Sequence, residues 1–266
     1  MKVGIAGFGT IGKAVGRALD QGVEHLTLVG VCTRTPEKAL ATMADFTTPV
    51  PVVSAKEMAE MADIIVECAP TAVFMDIAGP ALKAGKTLVT VSGAAVLAHP
   101  EVIDLARDNG GKIILATGAL LGLDAVRAAA EGTIHSVRMV TRKPPKSLAG
   151  ADYIVKNNIN IATLDEPLRI FSGTAREGAQ KFPSNVNVAA ALGLAGVGPD
   201  KTYLEIWADP TKDRNTHTIF VDADSARFEL TIENIPTEEN PGTGKITALS
   251  VIAALRGLVA PLRVGT

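Results

Sequence analysis

The stretch Lys2-Val3-Gly4-Ile5-Ala6-Gly7-Phe8-Gly9-Thr10-Ile11-Gly12 constrains this fold more than any other. Val3 to Ala6 is a short apolar run, the pattern of a strand buried on both faces. It enters Gly7-x-Gly9-x-x-Gly12, and Lys13 to Leu19 follows at once with helical spacing. A strand, a glycine turn and a helix together are the context in which this spacing binds a dinucleotide. Gly7 permits the tight turn, Gly9 lets backbone approach a pyrophosphate, and Gly12 lets helix pack close to strand. Thr10 and Ile11 then lie at the positive end of that helix. The residues Gly7, Gly9, Thr10, Ile11 and Gly12 thus read as the phosphate cradle of a bound cofactor.

The alternation continues. Leu26 to Val31 reads as a second strand ending in Cys32-Thr33-Arg34-Thr35, without the carboxylate that often takes the ribose hydroxyls of NAD. Arg34 can meet a 2′-phosphate instead, so NADP as well as NAD is expected. Lys56–Ala62 reads as a helix and Asp63–Ala69 as a strand. Ala72–Ala84 is helical but interrupted at Gly79-Pro80, and Thr87–Val91 is a strand. Pro100–Asn109 is a helix with proline at its start, and Lys112–Ala116 a strand. The expected class is α/β, a Rossmann doubly wound parallel sheet with helices on both faces. Ligands in such sheets bind beyond the carboxyl ends of the strands. The small loops there are Ala69-Pro70-Thr71, Ser92-Gly93-Ala94 and Thr117-Gly118-Ala119.

Near residue 120 the pattern changes. Leu123–Glu131 reads as a helix. Strands then dominate: His135–Thr141, Leu168–Phe171, Tyr203–Ala208, Thr218–Val221 and Ala226–Ile232, with a helix at Val188–Ala195. The alternation in Phe228-Glu229-Leu230-Thr231-Ile232 is that of a half-exposed antiparallel sheet. The chain is therefore expected to hold a dinucleotide-binding domain over 1–119 and an α+β substrate and association domain over 120–235, its sheet mostly antiparallel. Residues 236–266, with the helix Ile246–Val259, are expected to return to the first.

A formal net charge of −2 gives no reason to expect nucleic acid or an anionic membrane as partner. The longest apolar stretch, Val188–Val197, is about half the ~20 residues of a membrane span. A strand from residue 2 leaves no room for a secretory leader. Cys32 and Cys68 are too few for a disulfide framework, and no His, Cys or carboxylate cluster has metal-ligand spacing. The expectation is a metal-free cytoplasmic protein.

Of the four histidines, His25, His99 and His135 sit at element ends and read as surface or capping residues. His217 closes the polar loop Ala208-Asp209-Pro210-Thr211-Lys212-Asp213-Arg214-Asn215-Thr216, where in extended backbone it shares a side with Asn215. Arg142 and Lys143, at a strand end, offer cations for a carboxylate. Ser184, Asn185 and Asn187 precede an Ala-rich helix. Either they cap it, or an asparagine amide reaches a ligand.

The ordered set of motifs resembles the L-aspartate dehydrogenase family, related in fold to homoserine dehydrogenase. The resemblance runs nearly end to end. It rests on Gly7-x-Gly9-x-Ile11-Gly12, Glu67-Cys68-Ala69, Gly118-Ala119 with Gly122-Leu123-Asp124-Ala125, and Lys143-Pro144-Pro145. It continues through Phe171 to Glu177, Phe182 to Val188, Ala208-Asp209-Pro210, Asn215-Thr216-His217 and Asn240-Pro241-x-Thr243. It implies His217 as catalytic residue, and Ala119 and Asn187 (or Asn185) as cofactor contacts beside Ala69 and Gly118. It implies NAD- or NADP-dependent oxidation of L-aspartate to iminosuccinate, then oxaloacetate and ammonia, with a possible feed into NAD synthesis. Lys143, Ser172, Thr174 and Asn215 become substrate candidates, and a homodimer or larger homo-oligomer is expected. The family's Asn-Pro-Lys-Thr-Ser pattern departs here to Asn240-Pro241-Gly242-Thr243-Gly244, so Lys245 or another cation must stand in for its lysine. The readings left open are another C4 amino-acid or semialdehyde dehydrogenase and a non-catalytic NAD(P)-binding sensor.

Overall fold

The computed structural model describes residues 1–182, 186–240 and 242–265. They divide into two compact units, Met1–Gly118 with Thr247–Arg263, and Ala119–Ile246 with the residues from Val264.

In the first unit β1 (Lys2–Ala6), β2 (Thr27–Cys32), β3 (Ile64–Glu67), β4 (Thr87–Thr90) and β5 (Lys112–Leu115) form a parallel sheet of order β2-β1-β3-β4-β5. The helices are α1 (Thr10–Asp20), α2 (Pro36–Met43), α3 (Ala55–Met61), α4 (Phe74–Lys83), α5 (Gly93–Ala98) and α6 (Glu101–Asp108). Both sheet faces are covered, which is why the strands carry no polar alternation. Val3, Ile5, Ile64 and Val66 pack with Val15, Leu19, Met43 and, from the C-terminal helix, Val251 and Leu255. Ala6, Ile65 and Leu88 pack on the other side with Met58, Phe74, Ile77, Leu82 and Val102. From β1 the chain turns outward to β2 and then crosses to β3 on the other side of β1. The loops after β1 and β3 therefore flank the switch point, where such sheets bind ligands.

Two local expectations change. The α4 helix runs through Pro80 instead of breaking, because Phe74, Ile77, Ala78, Ala81 and Leu82 are all buried and their packing offsets the lost N–H. Gly93 and Ala94 are not loop but the buried first turn of α5.

The second unit contains α7 (Leu123–Ala130), β6 (Ile134–Lys143), α8 (Asp152–Lys156), β7 (Leu168–Thr174), α9 (Ala175–Lys181), α10 (Asn187–Ala195), β8 (Thr202–Ala208), β9 (Asn215–Ala223) and β10 (Arg227–Asn234). Its sheet has the order β10-β9-β6-β8-β7 and is antiparallel except between β6 and β8. The helix α11 (Lys245–Val259) follows. The helices α9 and α10 cover one sheet face; a Cβ on Gly178 of α9 would come 2.6 Å from Leu204 Cδ2. The other face carries stacked cations, Arg138 4.3 Å from the centre of Phe220 and Arg142 4.8 Å from that of Trp207. None of the described helices is long and apolar enough to cross a membrane.

Candidate active site

The glycine turn has the shape its spacing predicts. Gly7 has φ +91°, and a Cβ there would lie 2.6 Å from the carbonyl of Cys68. A Cβ on Gly12 would press into the carbonyl oxygen of Gly7. A Cβ on Gly9 would meet nothing within 4 Å, so this backbone faces open space. Gly9 caps α1 without a side chain, and the first helical turn holds no carboxylate. A helix start of this kind, with a cradle that side chains would fill, fits a pyrophosphate. Gly12→Ala is expected to weaken NADH binding more than about tenfold, because helix and strand must part by a methyl group. A fluorescence titration of NADH binding checks this.

Beside the turn, Glu67 is 0% exposed at the end of β3. Its carboxylate accepts from Ala69 N at 2.8 Å and from the Thr90 hydroxyl, which in turn accepts from Ser92 N at 2.9 Å. Burial pushes this carboxyl above its ordinary range despite those donors. The loops after β3 and β4 are thereby tied to one buried group. Cys68 donates its thiol to Gly7 O at 3.1 Å, and burial pushes its pKa far up, so it is a packing thiol and no nucleophile. Gly118 N donates to Ser250 Oγ at 3.0 Å. Arg34 is exposed in the loop after β2 and makes no ion pair among the described residues.

The second unit has its own concentration of polar groups. Its covered sheet face is apolar along most of its length and polar at one end. In the β10-β9-β6-β8-β7 order, one row reads Leu230, Ile219, Met139, Leu204 and Gly173. The next reads Ile232, His217, Thr141, Ile206 and Phe171, and the last pairs Asn234 with Asn215. Lys143 lies two residues beyond Thr141 on the same face. These groups are deeply buried, with His217 3%, Thr141 3%, Lys143 5%, Asn215 8% and Asn234 3% exposed.

His217 Nδ1 lies 3.1 Å from Thr141 Oγ1. Burial, and then the nearby Lys143 charge, push its pKa down to about 3, so the imidazole is neutral. Burial lowers Lys143 to about 8. Asn234 Nδ2 donates to Ala119 O at 3.0 Å.

The structure thus brings His217, Lys143 and Asn215 together, with Ala119 linked to them through Asn234. His217 and Asn215 lie in strand β9, not in a loop, because the strand begins six residues after Asp209. Ser172 and Thr174 do not join them. Ser172 pairs with Glu205 and Thr174 with Tyr203, on the opposite sheet face. There Ser172 hydrogen-bonds the Tyr203 hydroxyl, and Thr174 caps α9 through Glu177 N at 3.2 Å. Arg142 likewise faces away, paired with Asp209 at 3.0 Å. Asn187 is half-buried as the first residue of α10, and Asn185 lies outside the described residues. Lys245 sits 3.8 Å from Glu238 at the surface. His25, His99 and His135 are not buried. Thr141 and Asn234 join this group without any motif in the sequence to single them out.

Residues 7–116 match the family profile described as homoserine dehydrogenase, NAD binding domain, and residues 124–258 match aspartate dehydrogenase, C-terminal. An L-aspartate dehydrogenase of Bradyrhizobium diazoefficiens is 58% identical over the whole of this chain and 94% of its own length. L-aspartate dehydrogenase 3 of Bordetella bronchiseptica is 51% identical over 99% of this chain and 97% of its own. The crystal structure of aspartate dehydrogenase from Thermotoga maritima superposes with a TM-score of 0.77 at 25% identity, covering 100% of this chain and 99% of that one. With both halves matched and the likeness unbroken from end to end, the chain belongs to the aspartate dehydrogenase family.

Proposed function

We propose that the chain oxidises L-aspartate at Cα with NAD⁺ or NADP⁺, and that His217 is the acid–base group. The observation that carries this is a neutral imidazole buried beside a lysine at the one polar end of an apolar sheet face. In this reading the first unit holds the cofactor, through Gly7, Gly9, Thr10, Ile11, Gly12, Ala69 and Gly118, and the second holds the substrate. Ala119 and Asn187 are further cofactor contacts. When bound, the nicotinamide supplies the hydride acceptor.

The protein's own residues do the rest. The Lys143 ammonium pairs with a substrate carboxylate, an attraction strengthened by its burial. The substrate's two carboxylates stabilise positive charge nearby, so they raise the proton affinity of both Lys143 and His217. Thr141 fixes the imidazole through Nδ1, which leaves Nε2 to take a proton from the substrate ammonium, or from the water that adds to the imine. The same nitrogen returns the proton to the departing amine. Oxidation yields iminosuccinate, and addition of water yields oxaloacetate and ammonia.

The test is appearance of the reduced nicotinamide with L-aspartate, run beside L-homoserine, L-glutamate and L-alanine, with each cofactor. Turnover with L-aspartate alone supports the reading, activity only with another substrate replaces it, and cofactor binding without turnover makes the chain a sensor. Arg34→Ala is expected to lower kcat/KM with NADP⁺ about tenfold, the loss of one charged contact, and to leave NAD⁺ unchanged. The reading also takes the protein as a cytoplasmic homo-oligomer that associates through its second unit, which sedimentation velocity checks.

A further inference from the structure

The second unit contains two acceptors that the reaction chemistry above does not use. Among the described residues, Oδ1 of Asn215 and Oδ1 of Asn234 are buried side-chain atoms with no hydrogen-bond partner. A buried carbonyl oxygen left unpaired is a cost to the fold, and here two such atoms meet in one cross-strand pair. Directly paired residues bring their Cβ atoms to about 5 Å, so the two amides share one small space.

The orientation of Asn234 follows from its partner. A backbone carbonyl only accepts, so the contact with Ala119 O must be made by Nδ2, and Oδ1 is the end turned away. Its other neighbour is Gly244. A Cβ there would fall 2.9 Å from Asn234 Oδ1 and 3.2 Å from Asn234 Cγ, so the absence of a side chain at 244 leaves the amide its place. Both asparagines lie one row from His217, on the face that carries Lys143.

We propose that Asn215 and Asn234 form the amine subsite of the enzyme, their two carbonyl oxygens accepting the two N–H bonds of the substrate's neutral α-amine. This rests on the aspartate-oxidising reading and adds its specificity. A neutral amine has two hydrogens and one lone pair. With both hydrogens held, the lone pair is left to form the C=N bond as the hydride leaves Cα. An ammonium arriving from water has a third hydrogen, which goes to His217 in the adjacent row. A 2-hydroxy acid of the same carbon skeleton has a single hydroxyl hydrogen and leaves one buried carbonyl unpaired, so the subsite selects amine over hydroxyl.

The test compares ligands that differ only in the amine. KM for L-aspartate and Ki for succinate, which has both carboxylates and no amine, are measured for the wild type, Asn234→Leu and Asn215→Leu. In either variant the L-aspartate KM is expected to rise about tenfold or more while the succinate Ki stays within about twofold. The Asn215 variant leaves the Ala119 contact intact, so it reads the subsite even if Asn234→Leu fails to fold. Equal weakening of both ligands, or of neither, overturns the amine assignment and leaves the oxidation of L-aspartate standing. A wild type that binds succinate but does not turn over L-aspartate overturns the functional reading, and the subsite with it.

Discussion

His217→Ala is expected to lower kcat by about 10²–10⁴-fold, the range for loss of a positioned acid–base group, with NADH affinity unchanged. The size follows from what would remain. Lys143 and the two asparagines still bind substrate, so KM moves little and the loss falls on the proton transfers. His217→Gln keeps a hydrogen-bonding group beside Thr141 but cannot accept and return a proton, so it should be as slow. Thr141→Val should cost less, because it frees the ring without removing it. Stability gives an independent reading. The folded His217 pKa, about 3, lies below its ordinary 6.5, so the unfolded chain binds the proton first as pH falls. The contribution is fully present above about 6.5 and is lost progressively between there and 3, so the alanine variant should be less sensitive to acid than the wild type. Near-normal turnover in His217→Ala would remove the residue from the mechanism.

How much of this was legible in the sequence depended on whether burial left a one-dimensional trace. The parallel sheet did, because Ile64-Ile65-Val66 is apolar on both faces and the glycine turn has few other uses. The short helices α8 and α9, of five and seven residues, left too few turns for a period to be read. The sequence pattern starts strand β9 only at Thr218, because its first residues, Asn215, Thr216 and His217, are all polar and no hydrophobic alternation marks them. Yet a trace of the site was present. Phe228-Leu230-Ile232-Asn234, Val221-Ile219-His217-Asn215 and Val137-Met139-Thr141-Lys143 are three period-two series, each apolar until it turns polar at one end. Read singly, each polar end looks like a strand leaving the core. Only the pairing of β6, β9 and β10 shows that the three ends coincide, and pairing between strands is not written locally. Ser172 and Thr174 fall on the opposite face for the same reason, since one residue of register decides which face they join.

Lys143→Met should separate function from stability in opposite directions. Affinity for L-aspartate and for succinate is expected to fall about 10²–10³-fold, because a substrate carboxylate would be left in a buried site without its cation. Stability is expected to rise by about 1–3 kcal/mol, read from the urea midpoint near neutral pH. Burial lowers the Lys143 pKa from 10.5 to about 8, a cost of roughly 3 kcal/mol for keeping the charge in the unliganded protein, reduced by the contacts the side chain makes. Between those values the unfolded chain holds the proton and the folded chain does not. The wild type should therefore gain stability as pH rises from about 8 to 10.5, and the methionine variant should lose that slope. The same titration predicts that succinate inhibition of the wild type weakens about tenfold per pH unit above 8, as the ammonium that pairs with the carboxylate disappears. A variant that binds succinate normally would show that the carboxylate sits elsewhere. One that is less stable than the wild type would show that Lys143 is held there by the fold, and not by the demand of a substrate with two carboxylates.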